Sequence, residues 1–291
     1  MNFYSTREIS ACLKSLDNVH PDQDYEVIIV SNSPVDRVDE SDIDNILPST
    51  VKWLCLQENI GYGRACNKGA SISSGDYLVF INPDTLFIND ALTVLKSSIE
   101  NHGREAIAGP ATYTQELSRT TSVKNEISLL WMLNWVLPIL GLFFSRGQPF
   151  NPTHFKSKTK VYAINGSAIC MPRSAFLASG GFSDDYFMYW EENDLCVRLK
   201  QHGFDILFIP DAKIIHTGGH STKKIFLPME IQKHRSQKIF IRKHHPNIYP
   251  INRFCGIIAY SWRYLTSLLT FQTRKQKQYF TLLSWYLVRY K

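Results

Sequence analysis

The sequence contains no Cys-x-x-Cys pair among its six cysteines, Cys12, Cys55, Cys66, Cys170, Cys196 and Cys255. That scatter argues against a disulfide framework and against a zinc site, and a reducing compartment is the simpler setting. With 15 glycines and 13 prolines in 291 residues, it has too few of either for a fibrous or low-complexity chain. No self-similar period is visible, which excludes a solenoid. Met1-Asn2-Phe3-Tyr4 runs straight into polar sequence, with no basic start and no apolar core, so no secretory leader is expected. Acids nearly vanish from the end of the chain. From Thr222 to Lys291 fourteen Lys and Arg face one acid, Glu230, whereas the remainder carries eighteen basic and twenty-five acidic residues. The net charge of +6 therefore conceals an acidic body and a basic tail. Such a tail meets nucleic acid, an anionic membrane surface or water, and it holds no recognisable nucleic-acid module.

What is there is globular in balance, 44% hydrophobic and 20% charged. The residues Ile127 to Phe144 carry no charge over eighteen positions, the low end of spanning length. Pro138 interrupts them, and Trp131 and Trp135 suit a helix in the headgroup region as well as a segment buried in protein.

Apolar spacing predicts a helix over Ser5–Leu16, opened by a Ser5…Glu8 capping box. Strands follow at Tyr25–Val30, Val51–Leu56 and Tyr77–Ile81, separated or followed by helices at Arg64–Ser73 and Asn89–Ile99. This alternation is the signature of a mostly parallel sheet wound with crossover helices. Ligands of such sheets lie beyond the carboxyl ends of the strands. Further on, Val161–Met171 reads as a strand pair, Glu191–His202 as a helix, and Asp205–Ile209 and Ala212–His216 as two strands.

Four clusters carry chemistry. Asp84 ends a strand behind Pro83, where a carboxylate suits a hard cation or simply forms a turn. Gly61, Gly63 and Gly69 sit between strand and helix, but their GxGx5G spacing is not the dinucleotide fingerprint. They allow backbone to approach a ligand or allow tight packing. Glu191, Glu192 and Asp194 follow the aromatic run Tyr186–Trp190. Helix electrostatics, with Arg198 four residues on, accounts for Asp194. The two glutamates beside bulky rings have the desolvation and like-charge repulsion that raise a carboxyl pKa toward that of a general base. His216 ends a strand before Gly218-Gly219, as a metal or diphosphate ligand or as a structural imidazole.

Taken in order, Asn59-x-Gly61-Tyr62-Gly63-x3-Asn67-x-Gly69, Asn82-Pro83-Asp84-Thr85, the block Gly181 to Leu199 and His216-x2-Gly219-x-Ser221 resemble the family 2 glycosyltransferases, in their bacterial rhamnosyltransferase-like branch. The resemblance runs from Asn2 to about His245. It implies an α/β GT-A (Rossmann-like) domain over residues 1–222, followed by a basic, helical, aromatic-rich region over 223–291. It implies a nucleotide-sugar donor, a divalent cation (Mg²⁺ or Mn²⁺) and inversion at the anomeric carbon. Asp84 and His216 take the metal, and Glu192, beside Glu191, takes the base role. Ser31, Asn32, Asn59, Gly61, Gly63, Asn67, Asn82 and Asp84 line the nucleotide-sugar site, and Trp190, Asp194 and Gly166 the sugar or acceptor pocket. The apolar stretch and basic tail point to a polyprenyl-diphosphate-linked acceptor and a cytoplasmic, peripheral place on the inner membrane face. Two departures stand out. Ser31 occupies the position of a family Asp, and the family's opening strand belongs ahead of Asn2–Ser5. The expectation is either an upstream start or an inactive remnant. A nicotinamide oxidoreductase using Asp84, 23 residues after Gly61, is the rival enzyme reading.

Overall fold

The computed structural model describes residues 1, 3, 5–20, 25–32, 51–103, 105–136, 155–218 and 226–290. The chain divides into two compact units, Met1–Asn125 with Pro149–Lys224, and Glu126–Gln148 with Ile225–Lys291. The described part of the apolar stretch 127–144 thus belongs with the carboxyl-terminal helices, and not with the first domain, where the sequence reading kept it. Its residues 137–144 lie outside the described set, as do Gly219, His220 and Ser221.

In the first unit, α1 (Thr6–Val19) precedes β1 (Val27–Ser31) and β2 (Val51–Cys55), which pair in parallel as a two-stranded sheet. Helix α2 (Tyr62–Ile72) leads to β3 (Tyr77–Ile81) and β4 (Thr85–Phe87), and α3 (Ala91–Glu100) leads to β5 (Ala106–Tyr113). The short β6 (Val123–Lys124) pairs with β8 (Ala163–Ile164). After β7 (Thr159–Lys160) and β8 come β9 (Ala168–Pro172), α5 (Arg173–Ala178), α6 (Glu191–Gln201) and β10 (Asp205–His216). The main sheet runs β3-β9-β5-β10-β4, with β7 also on β10. Strands β3, β5 and β10 share one direction, since β9 is antiparallel to both β3 and β5, and β10 is parallel to β5. The insertions β4, β7 and β9 run against them.

Two local expectations change. Ser5 makes no side-chain cap; its hydroxyl donates to the Phe3 carbonyl instead, so the predicted capping box does not form. The two strands expected over 205–216 are one, with a register shift between Ile209 and Lys213 that absorbs Pro210. Helix α1 carries two apolar rows. Ile9 and Leu13 pack with Ile29 of β1, while Cys12 and Leu16 join the core around Phe87, Leu95 and Ile214.

The second unit is helical among its described residues: α4 (Leu129–Val136), α7 (Phe226–His244), α8 (Tyr249–Leu269) and α9 (Thr273–Ser284). Its core gathers Tyr260, Leu282, Trp285, Tyr286 and Tyr290. His234 lies inside this cluster, 2.6 Å from the Tyr260 hydroxyl and 2.9 Å from that of Tyr286. Burial pulls its imidazole pKa down to about 4, so it packs as a neutral ring.

Candidate active site

Strand ends hold several of the predicted residues in two groups, one around Asn32 and one around Asp84 and His216. At the end of β1, Asn32 is fully buried and clamps the loop after β2. Its amide donates to Asn59 Oδ1 (2.8 Å) and to the Gly61 carbonyl (3.1 Å), and its Oδ1 accepts the Ile60 N–H (3.0 Å). Ser31 is buried beside it, and its carbonyl accepts the Leu56 N–H. Gly61 adopts φ +91°, and a Cβ there would overlap the Phe187 carbonyl, to which the Tyr62 N–H donates at 3.0 Å. Only glycine satisfies both conditions. Gly61→Ala is expected to cost about 1–3 kcal/mol, read as a lower urea midpoint; an unchanged midpoint would show that the loop gives way freely. A Cβ on Gly63 would press on Phe182 (2.9 Å) and lie 3.7 Å from the Glu191 Cβ, so the glycine loop is packed against the acidic helix.

At the ends of β3 and β10, Asp84 Oδ1 lies 3.1 Å from His216 Nε2, and the Asn82 amide lies 3.3 Å from the same nitrogen. The β4–β10 ladder, which sets His216 opposite Thr85, enforces this convergence. Burial pushes the Asp84 carboxyl up, but the hydrogen bond and charge of His216, with backbone N–H groups of Asp84 and Gly218, outweigh it and hold the group below the usual range. The Asn82 N–H and the Thr85 hydroxyl both donate to the Ser167 carbonyl. Next to Ser167, Gly166 sits with its Cβ position 3.6 Å from Glu192 Oε1. Gly166 and Ser167, just ahead of β9, thus neighbour Glu192 on one side and Asn82 and Thr85 on the other.

Helix α6 begins after two consecutive left-handed residues, Tyr189 (φ +68°) and Trp190 (φ +70°). Neither is glycine, and such strain concentrates at functional sites. The turn buries both Glu191 and Glu192. Burial first, and the Glu192 charge second, push Glu191 up to about 8. Glu192 is held differently: Lys124 Nζ reaches its Oε1 at 2.5 Å, from the short strand β6. Two of their buried oxygens, Glu191 Oε2 and Glu192 Oε2, have no hydrogen-bond partner among the described residues. Buried orphan acceptors of this kind await a donor.

Two predicted residues do other work. Asn67 clamps the backbone of Phe182, donating to its carbonyl (2.8 Å) and accepting its N–H (2.9 Å). Asp194 is fully buried, bonded to Arg198 (2.6 Å) and to the Tyr186 hydroxyl (3.3 Å), so its carboxylate faces the core and not the cleft. Lys124 was not foreseen. It lies 68 residues from its partner, in a two-residue strand with no motif around it.

The pattern of glycosyl transferase family 2 matches residues 5–172, more than half of the chain. The chain belongs to that family. Among curated proteins this transferase is 26% identical over 235 residues, 75% of each chain, to N-acetylglucosaminyl-diphospho-decaprenol L-rhamnosyltransferase of Mycobacterium tuberculosis. It is 24% identical over 233 residues to rhamnosyltransferase WbbL of Escherichia coli K12, covering 73% of this chain and 81% of that one. Among solved structures, mannosyltransferase PcManGT of Pyrobaculum calidifontis, in complex with GDP-Man and Mn²⁺, superposes with a TM-score of 0.61 at 13% identity, over 100% of this chain and 86% of that one. The fold is GT-A, a central sheet flanked by helices, as the sequence led one to expect. No helix among the described residues is long and apolar enough to cross a membrane.

Proposed function

We propose that the transferase is an inverting rhamnosyltransferase, taking rhamnose from dTDP-rhamnose to a saccharide on a polyprenyl diphosphate. The observation that carries this reading is the Asp84–His216 pair, whose neighbours Asn82 and Thr85 bond the Ser167 carbonyl next to Gly166, while the Gly166 Cβ position lies 3.6 Å from Glu192 Oε1 and Glu192 Oε2 has no hydrogen-bond partner among the described residues. Asn32, Asn59 and Gly61 shape the loop that closes on the nucleotide, and Ser31 replaces the acid expected beside it.

A divalent cation fits this edge only in part. Asp84 and His216 supply one hard oxygen and one imidazole, and no group of three or more His, Cys, Asp or Glu among the described residues is arranged for a metal. The donor set therefore suits an ion that also takes oxygens from a diphosphate and from water. When bound, Mg²⁺ or Mn²⁺ would offset the charge that develops on the departing diphosphate.

The chain's own residues divide the remaining work. Glu192 Oε2 accepts the proton of the acceptor hydroxyl, whose oxygen attacks the anomeric carbon from the face opposite the diphosphate. Lys124 fixes the other oxygen of the same carboxylate. Burial and the neighbouring Glu192 charge push the Glu191 carboxyl up, which favours its neutral form beside an ionised Glu192. Trp190 and Gly166 flank the acceptor side, and Asp194 braces α6 from within. Titration with dTDP-rhamnose and, separately, with NAD tests the class of ligand. Heat is expected only from the nucleotide sugar; heat from NAD alone would move the reading to an oxidoreductase.

A membrane surface is the proposed setting. On α8, Phe254, Ile258, Trp262, Leu265 and Leu269 form an exposed row at helical spacing, with Leu269 79% and Phe271 86% exposed. The basic tail supplies attraction to anionic lipid, about 1 kcal/mol per Lys or Arg near the surface. This combination fits a peripheral protein on the inner membrane face. Trp262→Glu with Leu265→Glu is expected to cut co-sedimentation with phosphatidylglycerol vesicles at least ~10-fold. Undiminished binding would remove this face from the proposal.

A further inference from the structure

Glu191 and Glu192 stand side by side at the start of α6, both buried, and each keeps one buried oxygen without a hydrogen-bond partner among the described residues. Like charges this close disfavour each other, so ionising one carboxyl holds the proton on its neighbour. Burial and the Glu192 charge push Glu191 up, and the charge of Lys124 offsets this only in part. Tyr62 and Cys66 on α2, and Cys196 one turn along α6, sit close enough to feel the charge of the pair. Burial keeps all three neutral, pushing the thiol of Cys66 up to about 11 and that of Cys196 up to about 12. Further along α6, Arg198 is bonded to Asp194, and Lys200 lies over the Tyr162 ring, 4.4 Å from its centroid. Lys124 supplies the cation that meets the pair, and it meets one member of it: its Nζ lies 2.5 Å from Glu192 Oε1.

The backbone of Lys124 is fixed independently of this ion pair. Strand β6 pairs with β8, Val123 opposite Ile164 and Lys124 opposite Ala163. Val123 is buried with Ala111 and Phe208. One residue earlier, the Ser122 hydroxyl accepts the Thr112 N–H of β5 at 2.8 Å, and the Ser122 carbonyl accepts the Asn165 N–H at 2.9 Å. A ladder, a core contact and two hydrogen bonds thus aim the lysine before its side chain is considered. The Lys124 side chain is 36% exposed and that of Glu192 9%. The ammonium therefore keeps water on its own side, while the carboxylate, short of water, depends on the lysine for its charge. We propose that Lys124 is a positioning residue that assigns the negative charge of the acidic pair to Glu192 and not to Glu191. By occupying Glu192 Oε1 it also leaves Oε2 as the oxygen without a partner. The consequence for transfer rests on the reading of Glu192 as the base. Without the lysine, two adjacent buried carboxyls share one charge, and a smaller fraction of chains carries it on Glu192.

The test compares the native chain with Lys124→Met, which keeps the length of the side chain and removes its charge, and with Lys124→Arg, which restores the charge. Carbon-13 spectra of the glutamate carboxyls, assigned with Glu191→Gln and Glu192→Gln, follow both groups against pH and need neither donor nor acceptor. In the native chain Glu192 is expected to lose its proton before Glu191. In Lys124→Met the two signals are expected to titrate over one shared range, and in Lys124→Arg the native order returns. Initial rates read the consequence. Lys124→Met is expected to lower kcat at least ~10-fold near neutral pH, with the donor KM within about threefold and a loss that shrinks as pH rises. Lys124→Arg is expected to come within about fivefold of the native rate. An unchanged order of titration in Lys124→Met overturns the proposal. So does a loss of rate that is equal at every pH and that Lys124→Arg does not repair, since that pattern marks a merely structural lysine. Spectra that change as expected while the rate stays native support the charge assignment and remove Glu192 from the base role, so the two failures are told apart.

Discussion

Glu192→Gln is expected to lower the sugar-transfer rate by about 10²–10⁴-fold while the affinity for dTDP-rhamnose stays within a factor of two or three, on the order of a few tenths of a kcal/mol. The amide keeps the size of the side chain and a polar contact to Lys124, which sits 2.5 Å from Oε1, but it accepts no proton. Initial-rate assays and donor titration on the same protein separate the two quantities. Loss of donor binding together with turnover would show that Glu192 holds the nucleotide sugar. Full turnover would remove it from the base role and leave Glu191 as the only other buried carboxylate with an unpartnered oxygen at the start of α6.

Glu191 carries the second large effect, and it is one of stability against pH. Burial and the Glu192 charge push its carboxyl up to about 8 in the folded chain, from an ordinary value of 4.5. Between those values the folded chain holds a proton that the unfolded chain has released. Stability therefore falls as pH rises from about 4.5 toward 8, and is flat beyond. Each unit of such a shift corresponds to about 1.4 kcal/mol. Glu191→Gln, which stays neutral in both states, is expected to raise Tm by roughly 10 °C at pH 8 and to leave it unchanged at pH 4. Melting curves across that range check the sign. A gain that persists at pH 4 would mean that improved packing, and not relief of a buried charge, is responsible.

Much of this was legible in the primary structure because it is local. The strand Tyr77–Ile81 stands where its apolar run placed it, and α1, α2, α3 and α6 lie within a few residues of their periodic patterns. The pairing of Asp194 with Arg198 was readable from i,i+4 spacing alone. The rest depends on contacts across the chain. Lys124 reaches Glu192 only because β6 pairs with β8 beside α6. Ser167 ties Asn82 and Thr85 to the start of β9 through its backbone carbonyl, a contact that any residue could supply. The left-handed turn at Tyr189 and Trp190 carries no glycine to announce it. The capping box at Ser5 had the right letters, but the nearby Phe3 carbonyl captures the hydroxyl. Asn67 matched a family motif, yet its amide is spent on the Phe182 backbone, a role that a linear pattern cannot distinguish from ligand contact.

The central claim is that Asp84 and His216 form, with a sugar diphosphate, one half of a cleft whose other half is Glu192. Calorimetric titration of dTDP-rhamnose with and without Mn²⁺, on the native chain and on Asp84→Ala, tests it most directly. The account predicts binding that strengthens at least ~10-fold with the cation in the native chain, and no such gain in Asp84→Ala. Equal binding with and without Mn²⁺, or a cation response that survives the loss of Asp84, would contradict it.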